Sequence, residues 1–185
     1  YTANWSGPTR IIGSAQYSHS GNAAFPAGGD VFVEGGELYT ASGATYADQH
    51  FYFAGFGGKS ASYRTGGNPG IYFEGPVTLM DTTRIMHDND GYLVFKGGVD
   101  GKGGFELTNC GRLLFPVPCS FEGGIKTDAG SLCVQAENTG TLGSGPVVAT
   151  GNSAKYDVCA LRFYYNYNEG RAMLTHPNVF TVSGR

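Results

Sequence analysis

Hydrophobic residues occur along this chain in short alternating runs that are bounded by Gly, Pro, Asn or Asp. Each run is about four to seven residues long and is rich in Val, Ile, Phe and Tyr, which is typical of β-strands joined by tight turns. About ten such runs occur, roughly 10–20 residues apart. They lie at 30–35 (DVFVEG), 50–55 (HFYFAG), 70–79 (GIYFEGPVTL), 91–98 (GYLVFKGG), 103–108 (GGFELT), 111–117 (GRLLFPV), 131–135 (SLCVQ), 145–150 (GPVVAT), 161–167 (LRFYYNY) and 178–184 (NVFTVSG).

The pattern predicts an all-β protein and argues against helices. Gly or Pro interrupts most windows long enough for three helical turns, and an interior Gly costs a helix about 1 kcal/mol relative to Ala. The spacing of the runs fits either an antiparallel sandwich or a parallel β-helix. The segment 108–115 resembles the segment 127–134, so that Leu113 aligns with Leu132 and Gly111 with Gly130. A turn–Gly–strand unit that recurs in one direction favours stacked parallel coils.

A longer repeat covers most of the chain. Residues from 5 onward align with residues from 121 onward at a shift of about 116, which places Asp30-Val31 opposite Pro146-Val147. We expect one β-helix domain over 1–185 that contains about one and a half copies of a long repeat. The chain opens and closes within a repeat, which predicts that it belongs to a longer chain or a fibre.

Composition narrows the functional classes. The 185 residues include 31 Gly, only 15% charged residues and 14% aromatic residues, with a net charge of −3. The aromatic content predicts a folded core rather than disorder. The charged residues are scattered along the sequence and form no basic patch of the kind that binds nucleic acid. No apolar stretch approaches the ~20 residues that span a bilayer. We therefore expect no nucleic-acid partner, no direct membrane insertion and no cofactor.

From residue 71 onward the chain resembles the passenger-associated repeat of bacterial autotransporter-type surface proteins. Seven motifs follow that repeat in order and spacing over about 75 residues, and the first 70 residues fit a more diverged copy. The motifs lie at 75–79 (GPVTL), 81–85 (DTTRI), 91–95 (GYLVF), 101–105 (GKGGF), 111–115 (GRLLF), 121–124 (FEGG) with 130–132 (GSL), and 142–147 (LGSGPV).

The resemblance implies a single-stranded, right-handed parallel β-helix that is secreted and displayed extracellularly or on the bacterial cell surface. Proteins of this kind serve as stalks, adhesins or scaffolds, and some carry enzymes. Four cysteines depart from the family pattern, because passenger domains usually lack cysteine. Their spacing contains no CxxC pair, so disulfides in any of three pairings, or one disulfide with two thiols, fit better than zinc. The candidates are Cys110, Cys119, Cys133 and Cys159.

Candidate binding residues are few. Tyr164, Tyr165 and Tyr167 form an aromatic cluster in which at least one ring must face outward, because side chains alternate along a strand. An outward Tyr beside Asn can stack on a sugar or pack on a protein partner; the alternative is an aromatic stack between coils. Asp88 and Asp90 resemble part of a calcium loop, but the rest of that loop is missing and a turn fits better. We predict no other metal site.

Catalytic patterns are weak. The sequence 57–60 (GGKS) lacks the preceding Gly and the following helix of a phosphate-binding loop, so we interpret it as a polar loop. Asp81, Arg84, Asp88 and Asp90 are the only acidic–basic group that could serve a polysaccharide-cleaving β-helix enzyme. The repeat pattern accounts for Asp81 as a structural residue.

We therefore expect about eight or nine rungs with uncapped ends, in a non-enzymatic structural or adhesive module. Its partners would be further β-helix repeats, stacked end to end in the same chain or in a homo-oligomeric filament, and surface glycans. The alternatives are a carbohydrate-active enzyme of the polysaccharide lyase or glycoside hydrolase type, and a glycan-binding module.

Overall fold

The computed structural model describes residues 6–22, 25–66, 70–87, 91–108, 111–127, 132–137, 141–151, 160–164 and 178–184. These residues form nineteen β-strands and no helix. All strand pairs within the three sheets are parallel, and each strand pairs with a strand one coil away. The protein is a parallel β-helix solenoid, so the predicted all-β class and parallel stacking are confirmed.

The chain winds repeatedly through three sheets, which we call A, B and C. Sheet A has five strands, in the order β1 (Thr9–Ile12), β3 (Asp30–Glu34), β6 (His50–Ala54), β9 (Val77–Leu79) and β12 (Val99–Asp100). Its extent corresponds to about five turns of the solenoid. Thr65 and His87, which are hydrogen-bonded neighbours on successive coils, lie 22 positions apart in sequence, and the similar pair Tyr72 and Tyr92 lies 20 apart.

Sheets B and C contain the remaining described strands. Sheet B has eight strands, β2 (Gln16–His19), β4 (Glu37–Thr40), β7 (Ser62–Thr65), β10 (Thr83–His87), β13 (Phe105–Thr108), β15 (Ile125–Thr127), β17 (Val147–Gly151) and β19 (Phe180–Gly184). Sheet C has six, β5 (Ala44–Tyr46), β8 (Gly70–Phe73), β11 (Tyr92–Phe95), β14 (Gly111–Phe115), β16 (Leu132–Glu137) and β18 (Ala160–Tyr164).

The register between β14 and β16 differs from the one expected from the sequence. Leu113 pairs with Val134, and Gly111 pairs with Leu132. The predicted pairs, Leu113 with Leu132 and Gly111 with Gly130, are therefore wrong by two residues. A shift of two keeps the same side chains on the same face of a strand, so the parallel arrangement survives the error.

The long repeat does not superpose equivalent faces of the solenoid. Val31 lies on β3 in sheet A, whereas Val147, its counterpart at the shift of 116, lies on β17 in sheet B. Similar Gly-bounded strand sequences therefore serve different sheets at the two ends of the chain.

The core is built from columns of inward side chains that run along the solenoid axis. Phe73, Phe95 and Phe115 stack in one column of sheet C, with successive ring centroids 5.3 Å apart and ring planes within 14° of parallel. All three are at most 2% exposed. Burial of a large apolar side chain contributes about 1.5–3 kcal/mol, and each aromatic pair adds about 0.5–1.5 kcal/mol. The continuous columns hold successive coils together.

Glycines at the corner between sheets A and B let successive coils approach closely. A Cβ on Gly103 would lie 2.1 Å from the Asp81 carbonyl oxygen, and one on Gly124 would lie 2.1 Å from that of Pro146. Gly124 also has a φ of +75°, which L-residues with side chains rarely adopt. The Gly-Gly motifs at 103–104 and 123–124 and the Gly-Pro motif at 145–146 thus lie where successive coils approach closely.

Candidate functional site

The C-terminal end of the solenoid exposes apolar side chains on the last strand of sheet B. β19 pairs in parallel with β17, with Phe180 beside Val147 and Val182 beside Ala149. Phe180 is 37% exposed and Val182 63% exposed, whereas Val147 and Ala149 are 2% and 3% exposed. The last strand therefore continues the core columns but leaves them open.

The open columns follow from the position of β19 in the sheet. β19 is the terminal strand of sheet B, and no other described strand pairs with its outer edge. Val179, which precedes it, is 71% exposed, and its carbonyl accepts a 2.9 Å hydrogen bond from the Val147 amide. Strands of this composition bury one face when another coil covers them. In the described part of the chain that covering coil is absent at this end.

Asn178 lies beside the same end and is buried. Its side-chain amide donates to three carbonyl oxygens of the preceding corner, Leu142, Gly143 and Gly145, at 3.3, 3.2 and 2.6 Å. Its Oδ1 atom is buried and accepts no hydrogen bond within the described residues. A buried amide oxygen without a donor is costly, by about 1–3 kcal/mol. It is therefore a polar acceptor that a further backbone N–H could satisfy.

The N-terminal end differs, because an aromatic cluster covers its core. Phe25 is 6% exposed and lies in the loop between β2 and β3. Its ring centroid lies 5.3 Å from that of Tyr17, 5.8 Å from His19 and 5.6 Å from Phe51. Tyr17 and His19, on β2, are half-buried. This end thus places a ring over the core, while β2 keeps partly exposed inner side chains.

A polar network is buried under the N-terminal coils. The Thr40 Oγ1 atom lies 2.9 Å from the Tyr46 hydroxyl, 2.7 Å from the Tyr63 hydroxyl and 3.3 Å from His19 Nε2. Burial raises the pKa of Tyr46 to about 12 and raises that of Tyr63 well above its usual value. Burial lowers the pKa of His19. Neutral hydroxyls and a neutral imidazole in mutual hydrogen bonds make this network a structural element of the core.

The outer face of sheet A carries a self-stacked aromatic ladder. The Arg10 guanidinium lies 4.4 Å from the centroid of Phe32, and Phe32 stacks on Tyr52 at 4.6 Å with the planes 10° apart. Tyr52 also stacks on His50 at 4.0 Å, and His50 Nε2 lies 2.9 Å from Thr78 Oγ1 of the next coil. Because the ring faces contact one another, this ladder joins coils and offers little open ring surface to a sugar.

The predicted tyrosine cluster lies mostly outside the described residues. The backbone of Tyr164 pairs with Glu137 in sheet C, whereas Tyr165 and Tyr167 lie outside the described part of the chain. The same sheet carries Tyr72 and Tyr92, whose hydroxyls are 2.9 Å apart. Sequence reasoning missed this pair, because each tyrosine reads as an ordinary strand residue and only the stacking of coils brings them together.

The structure bears on only part of the predicted metal and catalytic residues. Asp88 and Asp90 lie outside the described residues. Within the described ranges, no group of three or more His, Cys, Asp or Glu side chains could hold a metal ion. Asp81 Oδ2 accepts a 2.9 Å hydrogen bond from the Gly55 amide, in agreement with a structural role at the corner of the coil.

Cys119 is a free thiol that is buried, and burial raises its pKa to about 11. Cys133 lies on β16, where its backbone pairs with Arg112. Cys110 and Cys159 lie outside the described residues, so the disulfide pairing stays a prediction.

The segment 57–60, interpreted from the sequence as a polar loop, forms a tight turn. Phe56 and Lys59 exchange backbone hydrogen bonds of 2.9 and 3.1 Å across Gly57 and Gly58, which both have positive φ. This geometry matches a two-residue hairpin turn.

No helix in the described part of the chain has the length and apolar character needed to cross a membrane. Comparison of the chain with protein-family models, curated proteins and solved structures found no match.

Proposed function

We propose that this chain is an extracellular, non-enzymatic β-helix module that serves as a stalk or as a subunit of a self-associating surface fibre. In this proposal the solenoid is right-handed, has eight or nine rungs, and stacks end to end on further β-helix repeats. The resemblance to autotransporter-type repeats supports a location outside the cell or on the bacterial surface.

The observation that carries the proposal is the open C-terminal end. Phe180 and Val182 expose apolar surface on β19, which is the terminal strand of sheet B in the described structure. Contiguous exposed apolar surface on a protein marks an interaction site or a liability for aggregation. Unpaired strand edges recruit further strands unless charge, Pro or a bulge blocks them. Together these features favour a stacked partner at this end.

The buried polar network supports a structural role over a catalytic one. Its hydroxyls are hydrogen-bonded to one another inside the core, and burial holds the tyrosines in their neutral form. A catalytic acid or base must reach substrate, and these groups lie behind the sheets.

Concentration-dependent association tests the proposal. We expect the wild-type chain to associate with rising concentration in light scattering coupled to size exclusion. Val182→Lys places a charge on the open core column and should reduce association strongly. Thr181→Lys is the matched control, because Thr181 lies between the inner positions on the same strand and faces outward. It should retain association.

A wild-type chain that stays monomeric at every concentration tested would contradict the proposal. Equal loss of association in both lysine variants would also contradict it, because the effect would then be one of net charge.

A further inference from the structure

We propose that the open C-terminal end binds the N-terminal end of a second copy of this chain, head to tail, with β19 of one copy pairing in parallel with β2 of the next. This inference rests on the proposed function and specifies its partner and register.

Two of the inner columns of sheet B change size in opposite directions along the solenoid. The first column contains the small residues Gly36 and Ala61 near the N-terminal end and ends at Phe180. The second column begins at Tyr17, passes through Thr127 and Ala149, and ends at Val182. The first column therefore ends in a larger residue than those at its start, and the second ends in a smaller residue than the one at its start.

Head-to-tail stacking brings complementary volumes together. In the register that continues sheet B, Phe180 of one copy meets Ala15 of the next, and Val182 meets Tyr17. Ala15 precedes β2, and its carbonyl accepts a 2.9 Å hydrogen bond from the Glu37 amide, which places it in the first column. A larger residue thus faces a smaller one in both of these columns. Cores tolerate substitution best when the total volume is kept, so this match favours the end of a second copy as the occupant.

The two edge strands also lack the features that prevent edge pairing. β2 has the sequence QYSH, and β19 has the sequence FTVSG, so neither contains Lys, Arg, Asp, Glu or Pro. Proteins protect exposed edges with charged residues and Pro. The outward neighbours in the proposed register, Gln16 and Thr181, are uncharged, so no repulsion opposes the contact.

The inner side chains of β2 are partly exposed, and the partner would contact them in the proposed complex. Tyr17 and His19 are half-buried and form one aromatic cluster with Phe25. Stacking of Val182 on Tyr17 would bury apolar surface on both copies. A contact between the head of one copy and the tail of another is heterologous, and repetition produces an open filament.

Disulfide trapping tests the register. In the proposed contact Gln16 of one copy pairs with Thr181 of the next, and paired Cα atoms on neighbouring strands lie about 4.8 Å apart, within the range of a disulfide. We expect the double variant Gln16→Cys/Thr181→Cys to form a ladder of covalent oligomers in oxidised glutathione. Peptide mass spectrometry should identify the 16–181 disulfide and separate it from any bond of the native cysteines.

Two controls define the register and the orientation. Ser18→Cys/Thr181→Cys is displaced by two residues and should cross-link much less. Thr181→Cys alone should give no ladder. A discrete dimer of the single variant would indicate a tail-to-tail contact and would overturn the inference.

The partner inference and the proposed function can fail separately. If wild-type chains associate and Val182→Lys prevents it, but no 16–181 disulfide forms, the open end binds something other than β2 and the inference falls. If wild-type chains do not associate at all, the proposed function itself falls.

Discussion

The two ends of the solenoid differ in how far their core side chains are covered. Both ends interrupt columns of core side chains, yet Phe25 lies over the N-terminal columns and is 6% exposed, whereas Val182 at the C-terminal end is 63% exposed. At both ends the terminal strand of sheet B pairs in parallel with its neighbour. The loop residue Phe25 packs against the inner side chains of β2 at the N-terminal end and contributes to this difference. The C-terminal end is therefore the more open of the two, and in the proposed head-to-tail contact it meets the partly exposed Tyr17 of the next copy.

Truncation of one ring at each end is the strongest test of this comparison. Phe25→Ala removes a buried ring that contacts four other aromatic side chains, and should lower the free energy of unfolding by about 3 kcal/mol. Phe180→Ala removes a ring that is already 37% exposed and should cost only about 1 kcal/mol in dilute solution. Urea denaturation monitored by circular dichroism measures both. An equal or larger cost for Phe180→Ala would show that the C-terminal end is covered.

Removal of the central hydroxyl of the buried network has an intermediate effect. Thr40→Val keeps the side-chain shape but leaves the Tyr46 and Tyr63 hydroxyls without this partner, so we expect a loss of about 1–3 kcal/mol in stability. Thr45→Val, on the half-exposed face of β5, is the control and should change stability by less than about 0.5 kcal/mol. Similar values for both variants would show that the network contributes little to the covered end.

The smallest expected effect is a pH dependence that is specific to the N-terminal end. Burial lowers the pKa of His19, so below its ordinary value of about 6.5 the unfolded chain binds more protons than the folded chain. Stability should therefore fall as the pH decreases from 7 toward 5. His19→Phe should flatten this part of the profile, and denaturation midpoints at several pH values measure it. An unchanged slope in the variant would assign the dependence to other groups.

The sequence predicted the strands with strong alternation but missed many strands of sheet B. The segment 30–35 alternates clearly and forms β3, whereas Gln16–His19 and Glu37–Thr40 place His19 and Thr40 in the inner column. Inward polar residues break the alternation that marks a strand. Their hydrogen bonds come from neighbouring coils and are not visible in one segment.

The register error has a similar origin. Leu132 and Val134 are two residues apart and fit the same face, so alternation alone cannot choose between them. The open end was also not predictable in detail. The sequence around Phe180 and Val182 resembles that of a covered core strand, and only the stacking shows which strand lies last.

The separation of about 20 residues between stacked neighbours has a mechanical consequence. Each coil contacts only the coils beside it, so tension applied to the two termini would be borne by one peripheral coil at a time. Peeling one coil releases about 20 residues, which lengthens the molecule by about 70 Å. The molecule would therefore lengthen in steps of similar size under tension, and the coils would re-form when the tension falls.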